Sequence, residues 1–197
     1  MPKSKKQFPV RVPLYATGIR AQLSRTGPGS SWWLREWARR LESMGLKGRL
    51  GRARQYATSG QVVSLEISGP HVSAKVQGSR LESYGVTIDF RTPEGDVRQR
   101  MIARLKEEPI FVARLFANDL PLDVRDVFTS EGFDLFPGGK LGPGRYDVTT
   151  SCSCPDYANP CKHITAVLLL LGEEIAARPL TLLELRGILP SELCDED

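Results

Sequence analysis

SCSCPDYANPCKH, residues 151–163, gathers three of the chain's four cysteines and one of its two histidines into one short stretch. Cys152 and Cys154 form a C-x-C arm and Cys161 and His163 a C-x-H arm, so the two can close on one ion from opposite sides. Three thiolates and one imidazole complete a tetrahedral set that suits Zn²⁺, at roughly 2.3 Å to sulfur and about 2.0 Å to nitrogen. Ordinary buried cysteines would have apolar neighbours, whereas these stand among Ser, Pro, Asp, Asn and Lys in a turn-forming loop. A Cys152–Cys154 disulfide would be strained by the single residue between them.

Four protein ligands saturate the metal and leave no position for a reacting water, which is what a catalytic zinc requires. The loop also offers no general base, so the expectation is a structural ion and no enzyme activity. A Cys3His cluster carries net charge −1 on zinc. The positive end of a following helix and Lys162 would both offset that charge. Pro155 and Pro160 stiffen the loop, and Asp156 and Asn159 can turn it through their own side chains.

Working outward, a helix is predicted from Lys162 through LLLLGEEIAAR, and a strand over 146–151 leads into Cys152. PGGKLGPG at 137–144 reads as a hairpin loop joining that strand to another at 133–136. It lacks a Gly-Lys-Ser/Thr ending and a strand-to-helix setting, which argues against a phosphate loop. The C-terminal unit is thus expected to be strand, strand, helix, with a last helix at 181–189, a free thiol at Cys194 and an acidic tail.

Upstream, Trp33, Leu34, Trp37, Leu41 and Met44 recur at helical spacing, with Ser30 or Ser31 to cap and Gly45 to stop the helix. Trp33 and Trp37 belong to its apolar face, and Trp32 is expected to be the exposed one. Residues 61–78 alternate as a hairpin, with Val63, Leu65 and Ile67 on one face of the first strand and Val72, Ala74 and Val76 on the second. His71 falls at the turn, and YGVTIDF at 84–90 supplies a third strand. Thr92, Pro93 and Glu94 predict a helix start running to Lys106, and Pro109 and Pro121 the starts of two more. Phe111, Leu115, Phe116, Leu122, Val127 and Phe128 are the expected core of that region.

Charge is divided along the chain. Residues 1–60 carry 13 Lys and Arg against Glu36 and Glu42, while 61–197 carry 14 against 21 acids. A basic segment of this density is drawn to phosphates, with a strong dependence on salt. Arg35, Arg39 and Arg40 in the tryptophan helix and Lys47, Arg49, Arg52 and Arg54 just beyond it are the candidate nucleic-acid contacts. The longest apolar run, 164–171 broken only by Thr165, is far short of the roughly 20 residues of a membrane span. MPKSKKQFPVRVP lacks the apolar centre of a secretory signal, and zinc-held thiolates suit a reducing compartment, so a cytoplasmic protein without membrane contact is expected.

C-x-C-x6-C-x-H at Cys152, Cys154, Cys161 and His163 resembles the SWIM zinc finger, and SCSCPDYANPCKH resembles the bacterial SWIM zinc finger family protein. WWLREW at 32–37, SGQVVSLEISGPHVSAKVQGS at 59–79 and LLELRG at 182–187 are similar to that family too. The fold expected is α+β: a flexible basic arm at 1–30, a region at 31–130 with the tryptophan helix, a three-stranded antiparallel sheet and helices, a ββα SWIM-type finger with its C-terminal helix at 131–190, and an acidic tail at 191–197. The resemblance implies DNA processing beside a helicase-like ATPase. Two roles are then open: a non-enzymatic DNA-binding accessory factor, or an adaptor docking a partner ATPase through the finger and the tryptophan helix without touching nucleic acid.

Overall fold

Three alternating apolar stretches become three antiparallel strands: β1 (Val62–Ser68), β2 (His71–Val76) and β3 (Tyr84–Phe90). The computed structural model describes residues 12–22, 30–44, 46–138, 140–142 and 145–194, with the side chains of 47, 48, 140–142, 145 and 146 outside that description. Val72, Ala74 and Val76 of β2 are buried as the alternation predicts. In β1 the pairing slips between Val62 and Ser64, so Val62 faces Val76 and Val63 is turned to solvent, 45% exposed. Val63 is therefore not on the inner face with Leu65 and Ile67. A bulge inserts one residue, and every side chain before it changes face.

The sheet acquires a fourth strand among the described residues, in the order β1-β2-β3-β6. Two short strands, β4 (Lys140–Gly142) and β5 (Arg145–Tyr146), form the hairpin around the Gly-Pro cluster, and β6 (Val148–Cys152) then pairs antiparallel with β3. No strand forms at 133–136. Phe133, Leu135 and Phe136 are instead buried as irregular chain. The strand entering Cys152 thus belongs to the sheet rather than to a hairpin with 133–136.

Seven α-helices complete the described part. They are α1 (Trp32–Ser43), α2 (Lys47–Thr58), α3 (Gly95–Glu107), α4 (Pro109–Phe116), α5 (Val124–Ser130), α6 (Lys162–Ala177) and α7 (Leu180–Leu185). α6 begins and ends as its sequence predicts. It is apolar on nearly every side, as a helix buried between layers must be, and it packs on β1, β3 and β6 with α1 and α2 against it. α2 lies in a stretch for which the sequence suggested only basicity.

Some boundaries moved for local reasons. α3 starts at Gly95 and not at Thr92-Pro93, because Glu94 is extended and Gly95 turns the chain at φ +53°, a conformation that favours glycine. α5 starts at Val124, after a turn that begins at Pro121. The last helix, predicted over 181–189, is α7 and ends at Leu185, and a 3-10 turn follows at Pro190–Leu193. Leu115, Val127 and Phe128 are core and Phe111 is partly covered, but Phe116 and Leu122 are 46% and 59% exposed and do not belong to it.

The basic arm is also different where it is described. Residues 12–22 run beside the edge of β1, with Leu14 N donating to Gly78 O, Ile19 N to Val62 O and Ala21 N to Ala57 O. Gly18 makes this approach possible, since a Cβ there would lie 2.0 Å from Val62 O. Residues 1–11 and 23–29 of the expected arm, Gly45 and the acidic residues 195–197 lie outside the described residues.

None of the three tryptophans is exposed. Trp32 is half-buried against Phe136 and donates through Nε1 to Leu120 O at 2.9 Å, contrary to its predicted exposure. Trp37 donates through Nε1 to Leu168 O at 3.1 Å, in the middle of α6. A Cβ on Gly172 would meet the Trp37 ring at 2.7 Å. Gly172→Ala gains roughly 1 kcal/mol of helix propensity, but overpacking costs about 1–3 kcal/mol and the indole is held by its hydrogen bond. A net loss of about 1–2 kcal/mol in urea denaturation is the expected result; unchanged stability would show that α1 can shift freely.

Candidate metal centre

β6 delivers Cys152 opposite Val86 of β3. The next residue is held by the same strand, Ser153 N donating to Gly85 O and Gly85 N to Ser153 Oγ, each at 3.0 Å. Cys154 follows at the start of the loop. Asp156 Oδ1 accepts from Ala158 N, and Asn159 exchanges hydrogen bonds with Thr150, donating from Nδ2 to its carbonyl and accepting at Oδ1 from its hydroxyl. Both residues act as the loop's own fasteners, as their chemistry suggested. Cys161 is the N-cap of α6, where its carbonyl accepts from Thr165 N and Thr165 Oγ1, and His163 lies in the first turn.

The four ligand atoms lie within 4.8 Å of one another. His163 Nδ1 is 3.8 Å from the sulfurs of both Cys152 and Cys161. A tetrahedral zinc with ordinary bond lengths places sulfur and nitrogen about 3.5 Å apart and two sulfurs about 3.8 Å apart. The donor set and its spacing therefore fit a metal ion held by Cys152, Cys154, Cys161 and His163. Cys161 and His163 are buried, and Cys152 and Cys154 half-buried.

Hydrogen bonding from Cys152 pulls the Cys161 thiol down to about 3 against the effect of burial, helped by His163, the Ile164 amide and Cys154. Cys152 is pushed upward, first by its hydrogen bond with Cys161 and then by burial. Cys154 is raised mainly by burial. Cys161 stands at the amino end of α6, where unpaired amides attract negative charge.

The aromatic walls of the site were not read from the sequence. The His163 ring lies 5.1 Å from Tyr56 of α2 and 4.8 Å from Tyr84 of β3, centroid to centroid. Tyr84 was visible only as an alternating strand residue, and Tyr56 had no pattern to mark it. Lys162 Nζ sits 5.7 Å from the Tyr56 ring. On the far side of the loop, Arg49 Nη1 donates to Pro160 O at 3.2 Å, joining α2 to the residue before Cys161.

The candidate nucleic-acid residues separate into two groups. On α1, Arg39 and Arg40 both bond Glu36, and Arg39 is the main influence holding that carboxyl at about 2. Arg40 also pairs with Asp134, at 13% side-chain exposure, and donates to Gly138 O. Arg35 is exposed and donates to Ser30 O. On α2, Arg52 and Arg54 are exposed, Arg49 makes the loop contact, and the Lys47 side chain lies outside the description.

Residues 144–172 match the SWIM zinc finger. A protein of Mycobacterium tuberculosis (strain ATCC 25618 / H37Rv) named Uncharacterized protein Rv2102 is 37% identical over 170 residues, which is 86% of this chain and 60% of that protein. The chain thus spans less than two thirds of that relative's length. No solved structure matches the chain. Among the described residues no helix is long and apolar enough to cross a membrane.

Proposed function

Because the chain carries a SWIM zinc finger, we propose that it is a non-enzymatic zinc-binding protein that binds nucleic acid, DNA in particular, as a cytoplasmic accessory to a helicase-like ATPase. The observation that carries this reading is the position of α2. The basic helix packs along α6, the helix that begins with two metal ligands, and Arg49 bonds the ligand loop itself. Two parts of the sequence that lie a hundred residues apart, the basic segment and the metal loop, are thus joined through Arg49 and Pro160. Zinc in this reading is a fastener: its four protein ligands saturate a tetrahedral shell, and its energy goes into holding the loop.

A salt titration tests the reading. On duplex DNA the logarithm of affinity falls with the logarithm of salt by about 0.9 per phosphate contacted. Exchanging Arg52 and Arg54 together for glutamine is expected to lower that slope by about 1.8, with metal content unchanged. Absence of binding at low salt would refute nucleic-acid binding altogether. The adaptor role is favoured by a separate observation, the exposure of Ile110, Phe116 and Leu122 around α4. A stoichiometric ATPase that remains bound after nuclease treatment would favour that alternative.

A further inference from the structure

Beside the metal cluster is a cavity of about 170 Å³ lined by Tyr56, Ser79, Tyr84, Cys154, Pro155, Asp156, Lys162 and His163. It is smaller than the roughly 300–1,000 Å³ of pockets that enclose whole cofactors or drug-sized ligands. One small polar group fits it better than a complete cofactor does.

Its chemistry is that of a donor site. Lys162 brings an ammonium group, and Ser79, Tyr56 and Tyr84 bring hydroxyls. His163 is 2% exposed, and its Nε2 is buried without a hydrogen-bond partner. With Nδ1 turned to the cysteine sulfurs, Nε2 is the nitrogen left to carry a proton and donate. The anionic groups of the lining are Asp156, whose Oδ1 accepts from the Ala158 amide, and the Cys154 thiolate, which is shared with the metal.

The cavity is held in shape from both sides. Gln77 ties the loop that carries Ser79, donating to Gly78 O and Arg80 O and accepting from Ser83 Oγ. Gly78 must be glycine for Tyr84 to lie where it does, since a Cβ there would be 2.2 Å from the ring. Directly after Asp156, Tyr157 is fully exposed on a loop pinned by Asn159 and Thr150. An exposed ring on a fixed loop can stack an unpaired base, which duplex DNA does not present.

We propose that this cavity is a phosphate subsite for single-stranded nucleic acid, with Lys162, Ser79, Tyr84 and His163 Nε2 facing a backbone phosphate and Tyr157 stacking an adjacent base. The proposal rests on the nucleic-acid reading above and specifies where on the metal-bearing face the strand lies.

The test uses the full zinc-loaded chain and a fluorescent single strand of about 20 nucleotides, longer than the roughly 4–16 nucleotides covered by one small binding fold. Metal content is measured for every variant. Lys162→Gln is expected to weaken binding roughly tenfold, as loss of a hydrogen bond to a charged group does, and to lower the salt slope by about 0.7. Ser79→Ala weakens binding less, and Tyr157→Ala weakens it roughly tenfold with the slope unchanged. A duplex of the same sequence binds with no response to Tyr157→Ala. Should Lys162→Gln lose metal, Ser79→Ala and Tyr157→Ala decide the question. Variants that keep their metal and bind as the parent does overturn the subsite, and if Arg52→Gln still weakens binding the broader reading survives. A parent chain that binds no oligonucleotide overturns both.

Discussion

Asp147→Ala is expected to remove about 3–5 kcal/mol of stability, the cost of leaving a buried charge without its partner. Arg186 is 0% exposed and Asp147 nearly so, and they meet through two bonds, Nη1 to Oδ1 at 2.9 Å and Nη2 to Oδ2 at 2.8 Å. Two more of the guanidinium's five hydrogens are used as well, Nη1 on Arg91 O and Nε on Leu135 O. Asp147 also accepts from Gly138 N. The Phe133 ring lies 5.3 Å from the Arg186 guanidinium and 4.5 Å from that of Arg91. One ion pair therefore joins α7, the irregular chain at 133–138 and the turn between β5 and β6.

For a chain of this length a loss of that size lowers the melting temperature by roughly 6–20 °C. Arg186→Lys is expected to recover only part of it, because an ammonium group cannot reproduce the planar fork. Arg186→Leu combined with Asp147→Leu should cost less than the sum of the two single changes, since neither charge is then stranded. Additive losses in that double-mutant cycle would refute the pairing. A second readout is hydrogen exchange at β6, which should rise in Asp147→Ala as the turn that leads into the strand loosens.

The metal ligands were legible because their chemistry is local: four ligand types fall within 151–163, and no long-range contact is needed to recognise them. α6 was legible for the same reason, being an apolar run too long for a strand and bounded by Cys161 and Arg178. Arg186 was not, although it lies in LLELRG, one of the stretches similar to the SWIM zinc finger family. An arginine near the end of an apolar helix ordinarily reads as a solvated cation, and its partner lies 39 residues away. Tyr56 illustrates the same limit. α2 has a weak apolar stripe interrupted by arginines and glycines, so its helix follows from packing against α6 more than from its own pattern. Phe133 and Leu135 have the alternation of a strand, but Phe136 is buried directly after Leu135, and Arg186 takes the Leu135 carbonyl that a neighbouring strand would have used.

Cys161→Ser is expected to lose the metal and, with it, more of the fold than the finger alone. Structural zinc contributes on the order of 10–16 kcal/mol in isolated finger peptides. Four ligands within 151–163 would by themselves place the loss in the C-terminal segment. The structure gives a different expectation, because Cys161 caps the helix on which α1, α2 and the sheet all pack. Without the ion, Cys152 and Cys154 no longer fasten β6 to the first turn of α6, and the buried His163 ring loses its Nδ1 partner between Tyr56 and Tyr84. Cys161→Ser should therefore lower metal content well below one per chain and expose backbone amides of α2 and β3 as well as those of α6. Cys154→Ser, at the half-buried edge of the cluster, should do so less completely. Chelation of the parent chain should reproduce the Cys161→Ser exchange pattern, and returning zinc should reverse it. If exchange increased only within 152–163, the finger would be an appendage, and α2 could not owe its position to the metal.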